Sequence, residues 1–472
     1  QTDLLVVPTG PIFPSFLRGK VLQFLKKGGS LLTCGGYAFD ELVFPLGKGD
    51  FAPCGYVLWA KQWDYRIRSQ TRYPPSMNTR FGRVGDTLGL EPDQIGIFDP
   101  SDRFDMAVKL EGPLGNLSGT FDGWSAVGLI GTNHPVLSQT VAVWEPLLLA
   151  KDRYGRNLGP AAAILSHFAG SFKGGVWAFF GVESRDLFEK GAVSESKVKD
   201  LVERVGKRCF AWDFLPEFWC FKPGERPALK IKVGNFGRFD LTLELAINRL
   251  KEWFPEKGIE GKEREGQRFL RKFFIRPGQI LTFRFELSTA LAPGVYTADA
   301  ALKIEGNSLP QRLKTAFCVW SPELSSEGLS LAFRENYFSI NGRKTFLTGT
   351  NQTGIVWSSS HEEPWQWLKD FAMLRDNAAT VVRYLHLSAF ASESRTAYAR
   401  FDPLKLQCPP PETVVRKTDA LVYLLSRHRL IPCLTLHDWQ PVVLEDQQLE
   451  AQKKWARFWT ERYSKLPAIL WD

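Results

Sequence analysis

Thr380-Val381-Val382-Arg383-Tyr384-Leu385-His386 is a short apolar run that admits one cation and leaves through a histidine. Further on, Ile431-Pro432-Cys433-Leu434-Thr435-Leu436 repeats the design and leaves through His437-Asp438-Trp439. Runs this short, rich in β-branched and aromatic residues, fit buried strands. Similar runs stand at 346–349 before them and 469–471 after them. The intervening pieces place apolar residues at helical spacing: Trp367, Leu368, Phe371 and Leu374; then Leu421, Leu424 and Leu425; then Trp455, Phe458, Trp459 and Tyr463. Four strand–helix repeats predict a (β/α) barrel or a doubly wound sheet.

Polar and aromatic side chains collect where these strands end. The first runs into Asn351 and Trp357, the second carries Arg383 and His386, the third ends in His437 and Trp439, and the fourth stops at Trp471-Asp472. Barrel active sites are built at that edge, because the interior below it is packed. An imidazole left unpaired among apolar groups costs desolvation. Taken alone, each histidine is more often a satisfied loop or core residue; taken as a set at one edge, they point to a site. Upstream, Asn341-Gly342 marks the turn of a hairpin over 337–343.

Two other grammars precede this one. Residues 1–212 read as an open α/β sheet: a strand at 4–7, a helix over 16–27 stopped by Gly28-Gly29, a strand at 30–34, later strands at 161–167 and 175–180, and a helix over 194–205. Residues 213–322 read as all-β, with strands near 229–233, 240–247, 269–275, 280–287 and 296–304 at sandwich-like intervals. The charged piece 256–267 reads as a solvated hairpin loop. The third unit spans 323–472.

The chain has 472 residues, more than one core serves, so about three domains are expected. Hydrophobic residues at 44% and charged residues at 24% place it among ordinary globular proteins. Its formal charge of +9 is spread over short, separated clusters, whereas a nucleic-acid binder concentrates its cations, so no nucleic-acid partner is expected. No apolar stretch reaches the roughly 18–20 residues of a membrane span, so no membrane is expected either. No charged-then-apolar leader is visible, and the immediate entry into a strand predicts that residues precede Gln1. Seven cysteines without a CxxC pair predict neither a zinc site nor a dense disulfide framework; buried small hydrophobes are the expectation. Asn116-Leu117-Ser118 and Asn351-Gln352-Thr353 match the glycosylation sequon, a tripeptide common by chance. No cofactor motif is present, neither Walker A nor a GxGxxG after a strand.

Segment 323–472 resembles the clan A glycoside hydrolases. The stretch 338–351 is similar to the opening strand of family 2 enzymes, the β-galactosidase and β-mannosidase group. Val382-Arg383-Tyr384-Leu385-His386 resembles the second strand of that clan, Leu434-Thr435-Leu436-His437-Asp438 the third, and Pro467-Ala468-Ile469-Leu470-Trp471-Asp472 the fourth, which in the clan continues to an Asn-Glu pair. The resemblance implies the first half of a (β/α)8 barrel from a retaining glycosidase on β-linked glycans, with both catalytic glutamates beyond Asp472. Retention needs two carboxyls roughly 5–5.5 Å apart, and Glu412, Glu445, Glu450 and Glu461 all lie off the strand ends. Arg383 would then orient the nucleophile, His386 and His437 would bind sugar hydroxyls or position carboxylates, and Trp357 and Trp439 would face pyranose rings, with Asn351 beside them. The expected partner is a carbohydrate, and an uncovered sheet edge would favour homo-oligomers.

The first segment resembles the class I glutamine amidotransferase-like fold in a degenerate, accessory form. Gly28-Gly29-Ser30-Leu31-Leu32-Thr33-Cys34-Gly35-Gly36 places Cys34 at the family's nucleophile turn. The family's His-Pro-Glu piece does not follow: His134-Pro135 precedes Val136, and His167 has no nearby carboxylate in sequence. A structural thiol is expected. The middle segment looks like the immunoglobulin-like sandwich that precedes the barrel in family 2 enzymes. Two rival functions stay open: a non-catalytic carbohydrate-binding or interaction protein with a degenerate barrel, and, more distantly, an amidotransferase-like enzyme using Cys34.

Overall fold

A computed structural model describes residues 3–8, 12–36, 41–47, 50–53, 97–129, 140–183, 193–263, 268–324, 329–352, 364–384, 407–436 and 445–472. The chain opens with a parallel β-α-β unit. Leu4–Val7 and Ser30–Thr33 pair in parallel, joined by the helix Arg18–Lys26, and Val176–Phe180 adds a third parallel strand. Gly28 ends the helix at φ +78, where a Cβ would stand 2.8 Å from the Lys173 carbonyl oxygen. Adjacent residues on the strands serve opposite faces. Leu31, Trp177 and Phe179 pack with Val21 and Leu25 of this helix, whereas Leu32, Ala178 and Phe180 pack with Leu201 and Val205 of the helix Glu195–Lys207.

Beyond Val176–Phe180 the sheet departs from the sequence reading. Asn157–His167, Ala142–Asp152, Ile97–Gly112 and Gly115–Leu129 follow as antiparallel neighbours, completing a mixed seven-stranded sheet. The α/β alternation expected across 1–212 therefore holds only for its first unit. The missed hairpin had left a period-two trace: Phe104, Val108 and Leu110 are buried, while Asp105 and Lys109 are exposed.

The middle segment is a sandwich of two sheets. Cys209–Pro216, Ala228–Asn235 and Ile280–Glu286 form one. Cys220–Phe221, Gln311–Val319, Gly294–Ile304, Leu241–Phe254, Ile259–Glu263 and Phe269–Ile275 form the other. Leu229, Ile231 and Val233 from the first meet Leu243, Leu245, Ala298 and Phe317 from the second in one core. The piece read as a solvated loop returns instead as the strand Ile259–Glu263, paired with Leu241–Phe254. Its acid is enlisted: Glu260 receives hydrogen bonds from Lys251 at 2.6 Å and Thr297 at 3.0 Å, and a further one from Lys314.

The last segment begins with the expected hairpin. Tyr337–Ile340 pairs with Arg343–Thr345 across Asn341 and Gly342, both at positive φ, as a tight hairpin turn requires. Four parallel strands follow in sequence order: Gly349–Gln352, Val381–Tyr384, Ile431–Leu434 and Leu470–Trp471. The helices Pro364–Asp376, Glu412–Arg427 and Asp446–Arg462 separate them. The first strand starts three residues later than its sequence suggested, and Phe346 is 86% exposed rather than in the core. Buried Trp367, Leu368, Phe371, Leu421, Leu424, Leu425, Trp455, Trp459 and Tyr463 share one cluster with Val382, Tyr384 and Leu434, so these three helices cover the same sheet face. Among the described residues the sheet stays open and no closed barrel forms.

The units are tied by packing and by buried polar pairs. Arg204 donates to Glu145 at 3.1 Å inside the first unit, and the backbone N–H of Arg312 reaches the same carboxylate from the sandwich. The large sandwich sheet presents Trp253, Val295, Ala316, Cys318 and Trp320 to the helices of the last segment. Arg416, almost fully buried on the helix Glu412–Arg427, donates to Glu225 at 2.8 Å and to the Cys220 carbonyl at 3.3 Å.

Candidate functional site

Side chains alternate across the four-stranded sheet. Val382, Tyr384 and Leu434 point to the helices and are buried. The opposite face carries Asn351, Arg383 and Cys433 at matched register, Asn351 beside Arg383 and Arg383 beside Cys433. Asn351 is exposed, and Arg383 and Cys433 are half-buried. This face is the one on which the sheet gathers its polar groups.

Its centre is an ion pair at the C-terminal ends of the strands. Arg383 donates through Nε to Asp472 Oδ2 at 2.7 Å and through a terminal nitrogen to the same oxygen. Thr435 Oγ1 donates to that oxygen at 2.7 Å. The Asp472 backbone is fixed as well: its N–H reaches the Leu434 carbonyl at 3.0 Å, and its carbonyl accepts from Leu436 at 2.8 Å. Burial pushes the Asp472 carboxyl upward, but the hydrogen bonds from Thr435 and Arg383 outweigh it and hold the group below the usual carboxylate range. Burial raises the neighbouring Cys433 thiol, and the Asp472 charge adds to that. Chemically the cluster is a fixed guanidinium–carboxylate pair with a hydroxyl beside it, suited to orienting acceptor and donor groups of a polar ligand.

Of the residues singled out by sequence, Asn351 and Arg383 stand on this face. Trp357, His386, His437 and Trp439 lie outside the described residues. Thr435 was not singled out, and Asp472 was noted only as the residue at which the fourth strand stops, not as a partner of Arg383. Two of the carboxylates weighed as off-site have local structural roles. Glu412 accepts from Arg416 at 3.0 Å, and Glu445 caps the helix Asp446–Arg462 reciprocally with Gln448. Among the described residues no cluster of His, Cys, Asp and Glu is placed to hold a metal ion, and no helix is long and apolar enough to cross a membrane.

In the first unit, Cys34 follows the strand Ser30–Thr33, its Sγ 4.0 Å from the Val7 carbonyl oxygen. Burial raises this thiol, the opposite of an activated nucleophile. His167 is fully buried, with Nδ1 3.0 Å from the Gly175 carbonyl oxygen and its ring against Phe172 and Trp177. His134 lies outside the described residues.

No protein-family model matches the sequence, and no curated protein does. Among solved structures the chain is similar to a Bacteroides uniformis β-glucuronidase, at 15% identity and TM-score 0.23, over 56% of this chain and 27% of that one. It is also similar to a calcium-binding mutant of Bacteroides uniformis β-glucuronidase 2, at 13% identity and TM-score 0.22, over 80% of this chain and 39% of that one. A third is the Parabacteroides merdae β-glucuronidase, at 12% identity and TM-score 0.20, over 56% of this chain and 28% of that one. Scores this low do not establish a shared fold. The chain spans between 27% and 39% of the length of these neighbours.

Proposed function

We propose that residues 323–472 are the first half of a (β/α)8 barrel from a retaining glycoside hydrolase acting on β-linked glycans. In this reading, residues 1–212 are an amidotransferase-like accessory unit without catalytic role, and 213–322 an immunoglobulin-like linker. One observation carries it: four parallel strands in sequential order among the described residues, with the three described helices on one face and the Arg383–Asp472–Thr435 cluster on the other. A doubly wound sheet reverses its strand order and takes helices on both faces. A barrel keeps the order, keeps its helices outside, and builds its site at the strand ends.

The carboxylate pair of the reaction is assigned to residues following Asp472 in a longer parent. Arg383 supports that pair by charge-assisted hydrogen bonds, with Asp472, itself held by Thr435, fixing its plane. His386, His437, Trp357, Trp439 and Asn351 form the carbohydrate-facing shell of the same edge.

The test uses two lengths of chain. Residues 1–472 should turn over no aryl β-glycoside, whereas a chain extended through the remaining strands of the parent reading frame should. In the extended chain, Arg383→Ala and His437→Ala should each lower kcat/KM by at least ~10²-fold. Turnover by 1–472, or near-unchanged kinetics in both folded variants, overturns the assignment. Carbohydrate binding without turnover by the extended chain favours a degenerate, purely binding barrel.

A further inference from the structure

Two cysteines outside the strand-end site stand side by side in the core. Cys220 and Cys318 are register partners on the adjacent parallel strands Cys220–Phe221 and Gln311–Val319. Both are buried, at 2% and 0% exposure. Register partners present their side chains to the same sheet face, and both cysteines join the cluster that the sandwich shares with the helices of the last segment. Their sulfurs engage reciprocal backbone groups: Cys220 Sγ lies 3.4 Å from the Trp320 carbonyl oxygen, and Cys318 Sγ lies 3.4 Å from that of Trp219. Burial raises the Cys318 thiol, and its side-chain contact with Cys220 raises it further, so the pair is inert while closed and exchanges only when local opening brings water to the sulfurs.

We propose that Cys220 and Cys318 are a latent cross-strand disulfide, a buried dithiol that thiol–disulfide exchange converts into a covalent staple. Adjacent strands lie about 4.8 Å apart, inside the roughly 4.4–6.8 Å that a disulfide needs between Cα atoms. The oxidant is a small disulfide such as oxidised glutathione. The thiolate of one cysteine attacks a glutathione sulfur and expels one glutathione thiolate; the thiolate of the other then attacks the protein sulfur of the mixed disulfide and expels the second. One S–S bond forms in the protein as one breaks in the oxidant, and the two thiol protons end on two molecules of reduced glutathione.

Access comes from the shorter strand. Cys220–Phe221 has only two residues and runs into a turn with Lys222, Pro223 and Gly224 exposed, so it opens before the longer strands do. Once formed, the staple closes a loop containing nearly the whole sandwich and ties its first edge beneath Arg416 and Tyr423 of the covering helix. Long closed loops take the largest stabilisation from a cross-link.

The experiment incubates the full chain in glutathione buffers of rising oxidised-to-reduced ratio, followed by alkylation and non-reducing peptide mapping. The expected result is a Cys220–Cys318 linked peptide pair, with a rise on the order of 5 °C in the thermal midpoint. Cys318→Ser should abolish both. If that variant fails to fold, the map of the unsubstituted chain decides alone. Cys220 and Cys318 both alkylated at every ratio, held as single glutathione adducts, or paired with other cysteines overturns the proposal.

Discussion

At the scale of single residues, the most exacting histidine is one that the sequence pattern did not single out. His428 closes the helix Glu412–Arg427, fully buried, with Nδ1 2.7 Å from the Leu424 carbonyl oxygen and its ring edge-on to Phe371. Burial pushes its pKa down to about 4; the Leu424 carbonyl works the other way, and the Arg375 charge adds to the lowering. The folded state therefore holds the neutral ring while the unfolded chain takes up a proton near pH 6.5. Its contribution to stability is fully present above that pH and falls as the pH drops toward about 4. Unfolding midpoints measured between pH 7.5 and 4 should decline across that window, and His428→Gln should flatten the decline. An unchanged pH profile in the variant would remove His428 as its source. Sequence located Arg383, on a short apolar strand whose C-terminal end gathers polar residues. It did not reveal that the partner is Asp472, since that pairing joins positions brought together only when the last strand docks.

At the scale of elements, periodicity served where one face of a helix or strand is buried. The helices around Trp367, Leu421 and Trp455 bury the residues expected of them except Leu374 and Phe458, which are only partly covered. It failed where charge masked a strand. Ile259–Glu263 was read as solvated because acids and lysines crowd it, yet Glu260 is neutralised by Lys251 and Lys314 from other strands of the same sheet. Burial pushes the Glu260 carboxyl upward, but hydrogen bonds from Lys251 and Lys314 overcome this and bring it to about 2. A carboxyl depressed in the folded state stabilises above its unfolded pKa, and that stabilisation is lost as the pH falls from about 4.5 toward 2. Glu260→Gln should cost on the order of 2 kcal/mol at neutral pH and should make the acid branch of the unfolding profile shallower. Equal acid branches would show that the network contributes nothing net.

At the scale of the whole molecule, the sandwich and the last segment share one core, and Arg416 is the polar pin through it. Removing a guanidinium that joins Glu225, Glu412 and the Cys220 carbonyl strips hydrogen bonds from groups at a packed junction. Arg416→Ala should destabilise the chain by roughly 3 kcal/mol. Arg416→Lys should recover only part of that, because an ammonium cannot bridge both carboxylates with a planar fork. Urea unfolding of the three proteins checks the order, and a lysine variant as stable as the original would show that charge alone suffices.

The sequence by itself determined the opening β-α-β unit, the all-β character of the middle segment, the four strands and three helices described in the last segment, the Asn341-Gly342 turn and the place of Arg383 on its strand. Each of these is written in local periodicity or in the conformational needs of single residues. Only the tertiary structure decided that the first sheet is mixed, that the three described late helices cover one face, that Asp472, held by Thr435, pairs with Arg383, and that Cys220 lies against Cys318. The physical reason is common to all four: each depends on partners far apart along the chain, whose meeting is selected by burial of shared surface rather than by local backbone preference.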